Sequence, residues 1–370
     1  MRTVLVTGGA GFIGGHLAEE LLDRGYRVRI LDALDRQVHD CGTIPDYLSD
    51  EVELIAADIR DEQAVARALR GVDGVIHLAA AVGVGQSMYQ LKKYVDVNAL
   101  GTAVLLEALS SHAIERLVVA SSMSVYGEGA FTDRSGALLH PPPRSREQLA
   151  RHEWEPLDRN GGPLTPVPTP EDIVPQPSSP YALTKYDQEL MCLMFGAAYS
   201  LPTVALRLFN VYGPRQALSN PYTGVMAIFA CRLLNGNAPL IYEDGAQLRD
   251  FVNVRDVARA FRLALERTDV QNCAINIGSG SAISIEQVAQ SLAGVLNRPD
   301  ISPQFENKYR VGDVRHCFAD ISRAVALLDY RPRVSFEAGV EELGGWLSRQ
   351  QAVDRAPLAA AELSRRGLTL

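Results

Sequence analysis

Within its first 24 residues the chain passes from a β-branched run, Arg2-Thr-Val-Leu-Val-Thr7, through Gly8, Gly9, Gly11 and Gly14, into an amphipathic stretch from Ile13 to Arg24. The run reads as a buried strand and the stretch as a helix. The glycines fit both Gly-x-Gly-x-x-Gly (9, 11, 14) and Gly-x-x-Gly-x-x-Gly (8, 11, 14). Strand, glycine turn and helix together lift such a motif above coincidence. Glycines let the backbone approach a pyrophosphate, and a helix N-terminus offers unpaired N–H groups and a positive dipole end. A second strand, Tyr26 to Leu31, ends at Asp32. An acid there accepts hydrogen bonds from ribose hydroxyls and repels a 2′-phosphate, so NAD is expected rather than NADP. Arg36 is a counter-signal, read as a solvated loop residue.

Strands and helices then alternate. Val52 to Ala57 reads as a strand ending at Asp58, Asp61 to Leu69 as a helix, and Val75 to Leu78 as a strand running into Ala79 and Ala80. Tyr89 to Ser111 reads as one long helix, Leu117 to Ser121 as a strand, Tyr181 to Ala198 as a helix and Thr203 to Leu208 as a strand. The pattern is that of an α/β, Rossmann-type doubly wound parallel sheet, whose strand ends line one crevice. Residues 128–178 interrupt it. Eleven of the twenty prolines lie between 141 and 180, with Gly161 and Gly162 among them, so an irregular excursion is expected. A surface embellishment or dimer-contact loop is favoured there over a lid on a substrate.

The composition suits a soluble, cytoplasmic enzyme. With 370 residues, 47% of them apolar, the chain can bury one large core or two modest ones. A net charge of −8 gives no basic footprint for nucleic acid. Cys41, Cys192, Cys231, Cys273 and Cys317 are scattered, odd in number and without a Cys-x-x-Cys, which fits reduced thiols and neither a disulfide framework nor a metal site. No apolar run approaches membrane length. The first strand begins at residue 2, so no cleaved signal is expected.

Residues 179–185 read Ser-Pro-Tyr-Ala-Leu-Thr-Lys. Tyr181 and Lys185, four apart on a helix, share a face, which would set an ammonium beside a phenol. Bringing a phenol from about 10 to near 7 takes about 4 kcal/mol. A cation at about 4 Å in a site of intermediate dielectric supplies energy of that order. On its own the spacing is weak evidence; the glycine turn gives it weight.

The assembled motifs resemble the extended short-chain dehydrogenase/reductase family, in its nucleotide-sugar epimerase branch, over roughly residues 1–345. They are Thr7-Gly-Gly-Ala-Gly-Phe-Ile-Gly14, His77-Leu-Ala-Ala80, Ser121-Ser-Met-Ser-Val-Tyr-Gly127, Tyr181 with Lys185, Leu206-Arg-Leu-Phe-Asn-Val-Tyr-Gly-Pro-Arg215, Leu248-Arg-Asp-Phe-Val252, Asn276-Ile-Gly-Ser-Gly280 and Arg310-Val-Gly-Asp313. Residues 81–89 and 215–224 are similar to those of dTDP-L-rhamnose 4-epimerases. The resemblance implies a catalytic Ser122, Tyr181 and Lys185, with Ser124 as a helper. It implies an NAD site built from Gly8, Gly11, Phe12, Ile13, Gly14, Asp32, Asp58, Ile59, Leu78, Ala79, Ala80 and Asn98 together with Tyr181 and Lys185. For the substrate, a nucleotide-diphosphate sugar, it implies contacts from Ser87, Ser122, Ser124, Asn210, Val225, Tyr242, Arg249, Arg310 and Asp313. Guanidinium groups suit a diphosphate because their rigid fork pairs with two oxygens. It further implies a homodimer through the Tyr181 helix, whose Met191-Cys-Leu-Met-Phe195 run spreads apolar surface around the helix. The expected organisation is a dinucleotide-binding domain over 1–209, a sugar-nucleotide lobe mainly over 210–345 with parts returning to the first domain, and a tail over 346–370. Asn253, where the family commonly has His, and Ala33, where Asn is frequent, depart from the pattern.

The two residues after Ser122 narrow the reaction. Sugar 4,6-dehydratases of the resembling family carry Asp-Glu there and the related decarboxylases a Glu at the second position, but this chain has Met123 and Ser124. Without an acid to run an elimination, reversible oxidation at the sugar C4 is expected. The apolar Val82, Val84 and Met88, with only Gln86, Ser87 and Tyr89 polar nearby, favour a 6-deoxy sugar over a uronate. UDP-glucose and UDP-glucuronate epimerases, a 4-ketoreductase and a non-catalytic NAD-sensing protein stand as alternatives. Lys92, Lys93, Arg144 and Arg146 are the cations able to overturn the sugar assignment.

Overall fold

The computed structural model describes residues 2–39 and 42–369. Cys41 therefore lies outside the described residues; Cys192, Cys231, Cys273 and Cys317 are free thiols. The chain opens as expected: β1 (Thr3–Thr7), the glycine turn, α1 (Phe12–Leu22), then β2 (Arg27–Asp32) and β3 (Glu53–Ala56). β4 (Gly74–His77), α2 (Gly101–Leu109), β5 (Arg116–Ser122), α3 (Pro180–Tyr199) and β6 (Thr203–Leu208) follow. After an excursion into a second lobe the chain returns through α4 (Val254–Glu266) and β7 (Cys273–Ile277).

These seven strands form one parallel sheet in the order β7-β6-β5-β4-β1-β2-β3. Alternation along β1 sends Val4 and Val6 to one face and Leu5 to the other. Val4 and Val6 join Leu17 and Leu21 of α1 and Phe261 of α4, while Leu5 joins Leu105 of α2 and Cys192 of α3. The order reverses between β1 and β4, so their C-terminal ends open the crevice where ligands bind in such sheets.

The second lobe has its own core, with Tyr212, Phe229, Phe251, Leu292 and Leu343. Asn253 departs from the family pattern but is not idle: its side chain accepts the N–H of Arg255 and caps α4.

Three elements differ from the sequence reading. The expected helix from Tyr89 is broken: Leu91–Tyr94 is α-helical, Val95–Leu100 widens into a π-helical stretch, and regular helix resumes at Gly101. A π turn adds a residue, here turning Asn98 into the protein interior. The 128–178 excursion is more ordered than its prolines suggested, with a three-stranded sheet of Ala130–Thr132, Leu138–Leu139 and Thr165–Val167. Arg144, its side chain 2% exposed, binds it down by donating to Glu128, Glu243 and the Trp154 carbonyl. Arg315 holds Glu243, Asp244 and Glu155. The tail, finally, is structured: α5 (Ala356–Arg365) packs back onto the molecule.

Candidate active site

The glycine turn is built for close approach. Gly8 has φ +69, and a Cβ on it would lie 2.8 Å from the Ala79 backbone; one on Gly14 would lie 2.4 Å from Gly9. Packing alone therefore demands those two glycines. Gly11 is different, because a Cβ there would meet only the Gly8 carbonyl at 3.4 Å. Gly11 is also the N-cap of α1, contributes no side-chain cap and leaves open space above uncapped N–H groups. That cradle fits a pyrophosphate.

Asp32 closes β2 with its carboxylate accepting the backbone N–H of Ala10 at 3.0 Å and of Leu34 at 2.8 Å. The acid at the ribose position is thereby tied to the glycine turn itself. Phe12 and Ile13 begin α1, and Leu78, Ala79 and Ala80 continue from β4 into the crevice. Asp58 is held by a bidentate Arg60, which keeps its carboxyl below the usual carboxylate range, and Ile59 is buried against Gly101. Asn98 reaches Ala81 through both ends of its amide and also donates to the Thr184 hydroxyl at 3.0 Å. It pins the loop after β4 to the turn of α3 that carries Lys185.

Ser122 ends β5, and Tyr181 and Lys185 stand on the first turns of α3, capped by Ser179. Ser124 donates its hydroxyl to Ser122 Oγ at 2.9 Å. Burial pushes the Tyr181 phenol up, and its hydrogen bond with Ser122 pulls the other way. Lys185 is not turned to the phenol as its spacing suggested. Its Nζ donates to the Ala120 carbonyl and to Gln188 Oε1, each at 2.7 Å. Burial brings this ammonium down to about 8.

Sequence reasoning missed the group that holds Lys185. Gln188 donates to the Thr102 hydroxyl and the Ala79 carbonyl and hydrogen-bonds the His77 ring. His77 also bonds Thr7 and Thr102, and burial lowers it to about 3, so the ring is neutral. The signal was present: Gln188 is the next residue on the face that carries Tyr181 and Lys185.

In the second lobe Asn210 has a buried Oδ1 without a protein partner. Arg310 is turned to Asp313 at 2.9 Å and over the Tyr242 ring at 5.3 Å. Arg249 gives its N–H groups to the Leu248, Val314 and Arg315 carbonyls, so it braces the loop beside Arg310. Val225 opens the helix Val225–Leu234 behind an uncapped Gly224. Ser87 is fully enclosed and donates to the Val84 carbonyl. Tyr89, from the same loop, shares a hydrogen bond with Tyr222 at 2.5 Å.

Residues 4–152 and 161–278 match the NAD dependent epimerase/dehydratase family. The chain belongs to that family. The open cradle above Gly11 fits the family's NAD. The dTDP-L-rhamnose 4-epimerase of Burkholderia thailandensis is 38% identical over 94% of this chain and 96% of its own length. The UDP-glucuronate 4-epimerase of Thermodesulfobacterium geofontis is 31% identical over 94% and 96%. Among solved structures, the UDP-glucose 4-epimerase of Thermotoga maritima with UDP-glucose has a TM-score of 0.77 at 30% identity, covering 94% of this chain and 99% of that one. A UDP-glucuronic acid 4-epimerase from Bacillus cereus, with UDP-glucuronic acid and NAD, has a TM-score of 0.77 at 29% identity and the same coverage. Among the described residues of this family member no helix is long and apolar enough to cross a membrane, and no cluster of His, Cys, Asp and Glu is placed to hold a metal.

Proposed function

We propose that this NAD-dependent nucleotide-sugar 4-epimerase acts on a dTDP-6-deoxyhexose, interconverting dTDP-L-rhamnose and dTDP-6-deoxy-L-talose in the cytoplasm. The observation that carries the reading is the state of the cations near the sugar loop. Arg144 is locked among Glu128 and Glu243, Lys92 pairs with Asp96, and Lys93 pairs with Asp35. Arg366 comes over the Tyr89 ring and shares the Glu362 carboxylate with Arg365. Each of these cations is already engaged by a carboxylate, which disfavours a uronate, whereas a sugar methyl group needs no charge. The similarity to the Burkholderia enzyme supports the same choice.

NAD, held over the glycine turn at Gly11 beside Asp32, would supply a reversible hydride acceptor for the sugar C4. Tyr181 takes the 4-hydroxyl proton while Ser122 hydrogen-bonds that oxygen, and Ser124 orients Ser122. Met123 and Ser124 offer no acid for elimination, so the 4-keto sugar has only reduction open to it. Reduction on the opposite face needs the sugar to turn while its diphosphate is gripped. Arg310, braced by Asp313, and the side-chain amide N–H of Asn210 supply that grip, with Arg249 behind the loop.

The enzyme acts as a homodimer through α2 and α3. Leu183, Leu190, Met194 and Tyr199 of α3 are exposed apolar residues, and a groove of about 350 Å³ runs between Leu106 and Met194. A second copy's pair of helices would cover them.

Turnover on dTDP-L-rhamnose, UDP-glucose and UDP-glucuronate, measured by a product-resolving assay without added cofactor, tests the reading. Preference for either UDP sugar rejects the dTDP assignment. A UDP-glucose 4-epimerase is the second reading, favoured by the Thermotoga structure.

A further inference from the structure

The segment beyond residue 355 touches both sides of the crevice. Leu363 is 3% exposed, and its Cδ1 stands 3.4 Å from where a Cβ on Gly85 would be. The Arg366 guanidinium lies 4.4 Å from the centroid of the Tyr89 ring, and Tyr89 in turn bonds Tyr222. Further along, the Leu368 carbonyl accepts the N–H of Val311 at 2.9 Å, and Thr369 pairs with Arg310 in an antiparallel bridge. The segment thus runs from the loop that forms the sugar wall to the arm that carries Arg310.

We propose that residues 356–369 are a strap that holds the sugar-nucleotide cleft closed during turnover, with Leu363 as its anchor and Arg366 as its latch on the Tyr89–Tyr222 pair. The proposal rests on the epimerase reading. A sugar that must rotate between two hydride transfers cannot itself be gripped. When the hydride and its electron pair leave C4 and the proton goes to Tyr181, the 4-keto sugar is held by its diphosphate alone. Retention then has to come from closure of the walls, which the strap joins. The contacts it makes suit a closure that opens and shuts. They are two buried apolar side chains, Ala359 and Leu363, one cation on an aromatic face and one backbone pairing, each separable without unfolding a core.

The experiment compares the NAD-loaded wild type with a chain ended after Arg355 and with Leu363→Asp and Arg366→Ala. Steady-state constants are measured on dTDP-L-rhamnose, protein-bound reduced nicotinamide is followed by absorbance during turnover, and dTDP affinity is measured by calorimetry. The expected outcome is a KM raised at least about tenfold with kcat within about threefold, the pattern of lost ground-state and transition-state binding alike. Escape of the 4-keto sugar before hydride return would leave reduced nicotinamide on the protein, so that absorbance should grow with time in the variants and stay low in the wild type. Wild-type constants and absorbance in the variants overturn the strap. So does a lower KM, which would mean that the segment occupies the substrate's place. If the wild type turns over none of the nucleotide sugars, the epimerase reading fails and dTDP affinity decides the strap: loss of affinity on truncation retains it, and unchanged affinity rejects it.

Discussion

Lys185 donates from Nζ to the carbonyl of Ala120 at 2.7 Å, so the ammonium is tied to the strand that ends two residues later at Ser122. The helix of Tyr181 and the strand of Ser122 are thus joined through a charge rather than through apolar packing alone. Tyr181, one turn earlier on the same helix, inherits its place from that bond.

Tyr181→Phe should keep the fold and the bound NAD, since the phenol's polar partner is Ser122 and the ring packs edge-on to Tyr94 at 6.3 Å. Turnover should fall at least about a hundredfold, the scale of losing a general base. Near-native turnover in this variant, with unchanged thermal unfolding, would remove Tyr181 from the mechanism.

The pH dependence follows from Lys185. Burial lowers it from 10.5 to about 8, so the folded protein loses this charge as pH rises through 8 while the unfolded chain keeps it to about 10.5. Turnover should decline on the alkaline side from about pH 8, because loss of this charge weakens the tie between the helix of Tyr181 and the strand of Ser122. Stability moves oppositely: between about 8 and 10.5 the unfolded chain binds more protons, so this group's contribution to stability rises with pH. Lys185→Met should abolish that rise. A pH–rate profile without an alkaline limb, or the same stability slope in Lys185→Met, contradicts the assignment.

Two glycines separate packing from ligand binding. Gly14→Ala puts a methyl group 2.4 Å from Gly9 and should cost about 1–3 kcal/mol of stability. Gly11→Ala meets only a carbonyl at 3.4 Å and should unfold at nearly the wild-type temperature while binding NAD at least about tenfold more weakly. Equal losses of stability would mean that both are structural.

Arg144→Met removes the cation from Glu128, leaving it the Arg315 and His316 N–H groups, and leaves Glu243 with Arg315 alone; burial already pushes both carboxyls up. Breaking such a pair from one side should cost about 3–5 kcal/mol. Urea unfolding reads it, and a change under about 1 kcal/mol would show that the excursion is held by other contacts.

Met194→Glu on α3 should convert the dimer to a monomer at micromolar concentration without changing the bound NAD. Met194 is 62% exposed in the single chain, so the substitution costs the monomer little in packing. Light scattering gives the answer; a wild type that is already monomeric rejects the dimer.

The sheet and the shared helix face of Tyr181 and Lys185 were legible because their signals are local. β1, the glycine turn and α1 occupy one short stretch, and Tyr181 and Lys185 share one helix face. The excursion was harder to read, since Arg144 finds Glu243 across 99 positions and no periodicity records that pairing. Arg315 and Glu155 are separated in the same way, across 160 positions. The strap escaped for a related reason: α5 has the pattern of an ordinary amphipathic surface helix, and only the fold brings Arg366 to Tyr89. Breaking the helix at Val95–Leu100 was hidden because a π turn keeps helical residue preferences.

The late return of β7 sets an order on synthesis. β6 pairs with β5 on one side and with β7 on the other, yet β7 emerges only after the whole of residues 209–272 has been made. A nascent chain that has reached Phe209 carries Thr203–Leu208, a strand fully buried in the finished fold, with one row of its backbone groups unpaired. Such an edge invites pairing with another chain. The ribosome-bound half-protein therefore needs either rapid elongation through the second lobe or a chaperone, and a message truncated between the codons for residues 209 and 272 should yield an insoluble product.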